Sequence, residues 1–171
     1  MRLDLAKLRS PIGTIVLAVR GGALCALEFA ERWPHRRACL ARRFGEVEFV
    51  PADDPARVTT ALAAYFAGDL RALEGLAVDP GGTPFQRAVW DALGRIPPGE
   101  TVSYRTLARA IGRPAAVRAV GAANGANPVG LVVPCHRVIG ADGSLTGYAG
   151  GLHRKRWLLA HEASADRRAT A

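Results

Sequence analysis

The chain has 171 residues, 49% of them apolar, and a formal charge of +8. That length allows one globular unit or two small ones with a core that needs no metal or disulfide, and no run nears the ~20 apolar residues of a membrane span. The excess charge is arginine, since only Lys7 and Lys155 are lysines, which suits a polyanion such as nucleic acid as well as it suits a coding bias toward Ala, Arg and Gly.

The opening MRLDLAKLRSP carries charges throughout and does not read as a signal peptide. Three cysteines without a CxxC pair predict free thiols in a reducing cytoplasm. Cys25, Cys39 and His35 match no tight zinc spacing and lack a fourth ligand, so no metal or cofactor is expected. Cys25 is expected in a buried strand and His35 on an exposed loop or helix. Residues 10–29 read as a β-hairpin, two apolar runs flanking Gly21-Gly22. Residues 31–44 read as a helix ending at Gly45, and EVEFVPADDP as a short strand and a turn. Asp54 and Pro55 form an N-cap and N1 pair for the helix ARVTTALAAYFAG, closed by Gly68. These elements predict a small α/β N-terminal domain over residues 1–78.

Residues 75–85, GLAVDPGGTPF, cluster Pro and Gly and read as the boundary. Thr83 and Pro84 then open the helix FQRAVWDALGRI, with Val89, Trp90 and Leu93 facing the core and Arg87 and Asp91 as an i, i+4 pair. In TVSYRTLARAIGRPAAVRAVGAANG two short helices flank a tight turn. Ser103 caps the first, Leu107, Ala108 and Ile111 form its apolar face, Gly112 ends it and Pro114 opens the second. Ala108 and Gly112 have the small-residue spacing of a close helix crossing, as in a helix-turn-helix, although an αα-corner without a ligand reads the same way. The second helix is nearly all small residues around Arg118. It could lie in a narrow minor groove with Arg118 filling the space of an extruded base, or Arg118 could be a solvated surface arginine.

NPVGLVVPCHRVIG, residues 127–140, reads as a buried strand, GLVV, stopped by Pro134. Most strand cysteines are inert core. Cys135, however, sits at a bend among Asn127, His136, Arg137 and Tyr148. A nucleophilic thiolate needs a base. His136 is the candidate, acting through a water because neighbours in an extended chain point to opposite sides. Glu162 is the group expected to orient its imidazole. Asp142-Gly143 marks a turn, GYAGG a Gly-rich loop that is no P-loop, and GLHRKRWLLAHE a last helix with Trp157, Leu158 and His161 at helical spacing. The tail from Ala163 is expected to fray. Residues 79–171 thus read as a mainly α C-terminal domain whose helix pair is either an αα-corner or a helix-turn-helix (winged-helix-like), the latter being what the resemblance given next implies.

PCHRVIG, preceded by RAVGAANGANP and followed by GYAGG and WLLAHE, closely resembles the O6-alkylguanine-DNA alkyltransferases, also called methylated-DNA–protein-cysteine methyltransferases. The match runs from about Thr83 to Glu162, with a softer N-terminal signature in SPIGTIVLAV and LCALEF. The resemblance implies that Cys135 accepts the alkyl group and that His136 and Glu162 activate it through a water. It implies that Asn127 ties the helix-turn-helix to the site, and that Tyr104 acts on the target base and adjacent phosphate. Arg118 is then the finger that enters the duplex as the base flips, with Ala116 and Val117 beside it on the DNA. Thr146, Tyr148, Ala149 and Val138 are expected to line the alkyl pocket, the Ala149 N–H facing guanine O6.

The implied partner is double-stranded DNA carrying O6-alkylguanine, with O4-alkylthymine left open. The implied reaction is irreversible, single-turnover transfer to Cys135. A monomer is expected, cooperativity along DNA being left open. No membrane is involved. Zinc ligands found in some members have no complete counterpart. Three alternatives compete: a lesion binder without an acceptor, which Cys135 opposes; a Cys135–His136 hydrolase, which leaves Arg118 without a role; and a transcriptional regulator, for which the chain is short.

Overall fold

Strand formation begins at the second residue. The computed structural model describes Met1–Ala169, with side chains as far as Ala165. Strand β1 (Arg2–Ser10) pairs antiparallel with β2 (Gly13–Arg20), and β2 with β3 (Ala23–Phe29), turning at Gly21-Gly22 as the hairpin pattern predicts. Helix α1 (Trp33–Phe44) ends at Gly45. It leads to β4 (Glu48–Pro51), which joins the other edge of β1 in parallel to complete the order β3-β2-β1-β4. The alternation expected of a half-buried strand holds at neither edge of β2: five consecutive residues, Ile15–Val19, are buried, so both faces of this strand are covered. From α1, Leu40 with Trp33 and Phe44 packs on Leu3, Ala18, Cys25 and Ala26. Cys25 is buried in β3 and His35 is exposed on α1, as expected.

Helix α2 (Val58–Ala67) starts later than the Asp54-Pro55 pair predicts. Ala56 and Arg57 take left-handed backbone angles, which break the helix before it forms. Asp54 still caps from a distance, accepting from the Thr59 N–H (2.8 Å) and the Thr60 hydroxyl (2.6 Å). Residues 77–79, read as linker, run beside β3: Leu24 N–H donates to the Ala77 carbonyl and Asp79 N–H to the Leu24 carbonyl. Arg20 and Arg43 both bind the Asp79 carboxylate while stacking over Phe44. The first unit therefore extends to Pro80, two residues beyond the expected boundary, and the second starts at Gly81.

In the second unit α3 (Pro84–Leu93) opens with a capping box, Thr83 and Gln86 each satisfying the other's backbone N–H. Val89, Trp90 and Leu93 are buried as expected. Arg87 does not pair with Asp91; it turns back to the Gly82 carbonyl (2.7 Å), and a cation placed N-terminal to its anion is the weaker i, i+4 order. Strand β5 (Val102–Ser103) runs into α4 (Tyr104–Ala110), which Ser103 caps through the Thr106 N–H (3.0 Å). Helix α5 (Val117–Gly125) lies against both α3 and α4, and the Trp90 indole N–H donates to the Ala123 carbonyl (2.9 Å). Two expectations for this turn are corrected. Gly112 is there for its positive φ of 68°, since a Cβ on it would meet nothing within 4 Å. Pro114 lies within the turn, and α5 begins three residues later.

The expected GLVV strand is a turn. Leu131 has φ of 70°, and Val133 N–H closes back on the Val129 carbonyl (3.0 Å). The regular pairing here is two residues long: β6 (Val138–Ile139) runs parallel to β5. The last helix, α6 (Leu152–Ala169), runs on through Ala163 to the last described residue, in keeping with the helix propensity of its Ala and Arg residues. Among the described residues no helix is long and apolar enough to cross a membrane.

Candidate active site and nucleic-acid interface

Asn127 builds the acceptor segment. Its Nδ2 donates to the Val133 carbonyl (2.7 Å) and its Oδ1 accepts from the Val129 N–H (3.1 Å). One amide thus clasps both ends of the 129–133 turn, and the turn delivers Pro134 and the single 3₁₀ turn Cys135–Arg137. Consecutive 3₁₀ residues project about 120° apart, so Cys135 and His136 leave the backbone in different directions. Cys135 is 8% exposed, and His136 is fully buried.

Behind His136 lies a closed ionic cluster. Its Nε2 donates to Glu162 Oε1 (2.8 Å). Arg137 reaches the same carboxylate through Nη2 (2.8 Å) and Nε (3.0 Å), and its Nη1 donates to the Ile96 carbonyl (2.5 Å). The Gly99 N–H adds a further donor to Glu162. Burial alone would raise the Glu162 carboxyl, but the hydrogen bonds from His136 and Arg137 and the charge of the Arg137 guanidinium outweigh it and hold the group well below the usual carboxylate range. Burial lowers His136, and the Arg137 and Lys155 cations lower it further against the pull of Glu162. The imidazole is therefore neutral near pH 7. With its proton committed to the carboxylate at Nε2, buried Nδ1 carries a lone pair and no partner. That is the arrangement of a base waiting for a proton.

Lys155 is fully buried on α6, and its Nζ donates to the Val138 (2.5 Å) and Thr146 (2.7 Å) carbonyls. Burial lowers its pKa, while the charge of a Cys135 thiolate acts to raise it; the converse is that the ammonium favours the thiolate. Tyr104, the first residue of α4, donates from its hydroxyl toward the Thr146 (3.2 Å) and Gly147 (3.4 Å) carbonyls. Burial raises its phenol pKa and a Cys135 thiolate would add to that, so it keeps its proton.

An open groove of about 630 Å³ is lined by Tyr104, Val117, Arg118 and Gly121 from the helix pair and by Thr146–Ala149 from the Gly-rich loop. Arg118 is exposed. Of the residues expected around a substrate pocket, Thr146, Tyr148 and Ala149 line this groove with Val117 and Arg118. Ala116 sits at the N-cap of α5. Val138 is fully buried in the β5–β6 pair and is not part of the lining. In the sequence Arg137 stands out only as a polar neighbour of Cys135, Lys155 only as one of two lysines, and nothing in the pattern singles out Asn124.

A paired sheet-and-helix unit followed by a helix-turn-helix unit with a buried Cys-His-Glu cluster defines a class, and known proteins identify it. The model of the 6-O-methylguanine DNA methyltransferase ribonuclease-like domain matches residues 5–80, and that of the DNA-binding domain of the same family matches residues 84–164. The methylated-DNA–protein-cysteine methyltransferase of Salmonella typhimurium is 49% identical over 166 residues, 95% of this chain and 96% of the relative. That of Mycobacterium tuberculosis is 48% identical over 160 residues, 91% and 89% of the two chains. The crystal structure of Mycobacterium tuberculosis OGT in complex with DNA superposes with a TM-score of 0.82 at 43% identity, covering 96% of this chain and 94% of that one. The chain belongs to the 6-O-methylguanine DNA methyltransferase family.

Proposed function

We propose that this protein repairs DNA by moving the alkyl group of O6-alkylguanine onto its own Cys135, once per molecule. The observation that carries the reading is the His136 imidazole, tied to Glu162 at Nε2 and open at Nδ1, next in the chain to a cysteine. The second unit supplies both the helix pair for DNA and the acceptor. One chain holds every group the reaction needs, which supports a monomer. Three free thiols fit a reducing cytoplasm.

Chemistry on a base edge requires the base outside the stack, at a cost of a few kcal/mol that a badly paired, alkylated guanine reduces. Arg118 fills the vacated space and the flipped base enters the groove. His136 Nδ1 takes the Cys135 proton through a water. The thiolate displaces the alkyl carbon from O6, forming a C–S bond and breaking the C–O bond, and the electron pair stays on guanine. Tyr104 gives its proton to a ring nitrogen of the leaving guanine. The imidazolium and phenolate then exchange protons with solvent. The product is a thioether with no carbonyl for water to attack, so Cys135 is not regenerated. Incubation with a duplex containing O6-methylguanine should therefore raise the protein mass by one methyl and no more; no gain, or repeated turnover, contradicts the reading.

Two further outcomes are expected. Arg118→Ala should slow duplex repair about tenfold, the rate equivalent of ~1.4 kcal/mol of flipping energy, and should barely change reaction with free O6-benzylguanine. Equal losses on both substrates would remove the flipping role. The pH dependence follows from the lowered His136 pKa. A neutral imidazole is the active form, and its folded-state pKa lies below the ordinary value of about 6.5. The single-turnover rate should hold as pH falls through that value and drop only below it. A rate already halved at the ordinary value would mean the cluster does not hold His136 neutral.

A further inference from the structure

The loop between α3 and β5 makes a tight turn against the ionic cluster. The Glu100 N–H closes on the Pro97 carbonyl (3.2 Å), with Pro98 and Gly99 at the two central positions and Gly99 at a φ of 81°. Proline at the first central position and a positive φ at the second make this a type II turn. A type I turn reverses the chain equally well, is commoner and accepts most residues at the second position. Chain reversal alone therefore does not call for Gly99. The two types differ by a rotation of the central peptide through about 150–170°. In the turn as it stands, the Gly99 N–H faces the cluster and donates to Glu162 Oε2 (3.2 Å). In a type I turn the Pro98 carbonyl would face that carboxylate instead, oxygen to oxygen. The same loop meets the other member of the ion pair with the opposite polarity, since the Ile96 carbonyl accepts from Arg137 Nη1 (2.5 Å).

We propose that Gly99 is a positioning residue of the base relay: its type II turn aims a backbone N–H at Glu162 Oε2, which fixes the carboxylate with Oε1 on His136 and limits how strongly it draws the imidazole proton. The link to catalysis rests on the alkyl-transfer reading above. With Oε2 held by the Gly99 N–H and by Arg137 Nε (3.0 Å), Oε1 is turned to His136 Nε2 (2.8 Å). A carboxylate that accepts more hydrogen bonds holds a proton less firmly. Turning the central peptide over removes one donor and brings up a carbonyl dipole. Glu162 then pulls harder on the imidazole proton, and the His136 pKa rises. The neutral imidazole, the active base, is then lost at a higher pH. The charged groups facing His136 are Glu162, Arg137 and Lys155, with the Cys135 thiol next in the chain. A substitution at Gly99 replaces none of them.

The test compares G99V with G99N, whose side chains are similar in size and differ in their tolerance of a positive φ. Asparagine enters the left-handed region readily and a β-branched residue does not. The His136 imidazole is titrated by ¹⁵N NMR in the protein without DNA. The acid limb of single-turnover methyl transfer from an O6-methylguanine duplex is recorded beside it. In G99V both midpoints should move up by about half a pH unit or more, so that transfer on the limb falls about threefold. In G99N both should stay within about 0.2 unit of wild type. Should G99V fail to fold, G99A, with a smaller left-handed cost, should move both midpoints in the same direction. An unmoved His136 titration in folded G99V or G99A, or equal movement in G99N and G99V, would overturn the role of Gly99. The titration needs no alkyl transfer. A wild-type protein that gains no methyl would therefore overturn the function, while the His136 titration still decides the role of Gly99.

Discussion

Cys135→Ser should leave the protein folded and abolish the one-methyl mass gain. The substitution exchanges one sulfur for an oxygen at a site 8% exposed, so packing changes little. The chemistry changes greatly. A hydroxyl is a weak nucleophile at its free pKa, whereas the Cys135 thiol is served by the His136 relay and by the Lys155 ammonium, both of which favour a thiolate. The other cysteines cannot substitute. Cys25 is 1% exposed in β3, and burial together with the Asp79 carboxylate pushes its thiol up, away from thiolate. Cys39 lies on α1 in the first unit, with its sulfur accepting from Arg42. Intact mass spectrometry after incubation with lesion duplex reads the result directly. A full methyl gain in the C135S protein would move the acceptor elsewhere.

Arg137→Leu should destabilise the fold by about 3–5 kcal/mol, the usual cost of leaving one partner of a buried ion pair alone. Glu162 is fully buried and its charge is balanced chiefly by Arg137. Without the guanidinium, the carboxylate must take up a proton or draw one onto His136. The Ile96 carbonyl also loses its donor. Urea unfolding should show a lower midpoint at unchanged slope. A loss under about 1 kcal/mol would mean that water reaches the carboxylate and that the cluster is not closed.

Much of the site was legible because its chemistry is local in sequence. Cys135, His136 and Asn127 lie within ten consecutive residues, and Glu162 stands out as a carboxylate at a helix end. The water relay inferred from an extended chain rests on different geometry, a 3₁₀ turn, yet the two side chains diverge either way. The surroundings were less legible. GLVV has the composition of a strand, and hydropathy cannot distinguish a buried strand from a buried turn; the Asn127 clasp and the positive φ at Leu131 decide it. Strand β1 is hard to recognise because charges run through MRLDLAKLRSP, although apolar Leu3 and Leu5 alternate with Arg2 and Asp4. On α6 the aromatic and aliphatic residues drew attention to Trp157, Leu158 and His161. The buried seam is Lys155, Leu158 and Glu162, two charged residues that a hydrophobicity pattern assigns to solvent. Trp157 and His161 instead stack on each other beside it.

That seam has a practical corollary. With Lys155 enclosed between two carbonyls, the second unit exposes no primary amine on any side chain, and the first exposes one, at Lys7. Amine-directed coupling, acylation or crosslinking would thus be confined to Lys7 and the chain terminus. The face built around Arg118 carries no amine and would come through such chemistry unaltered.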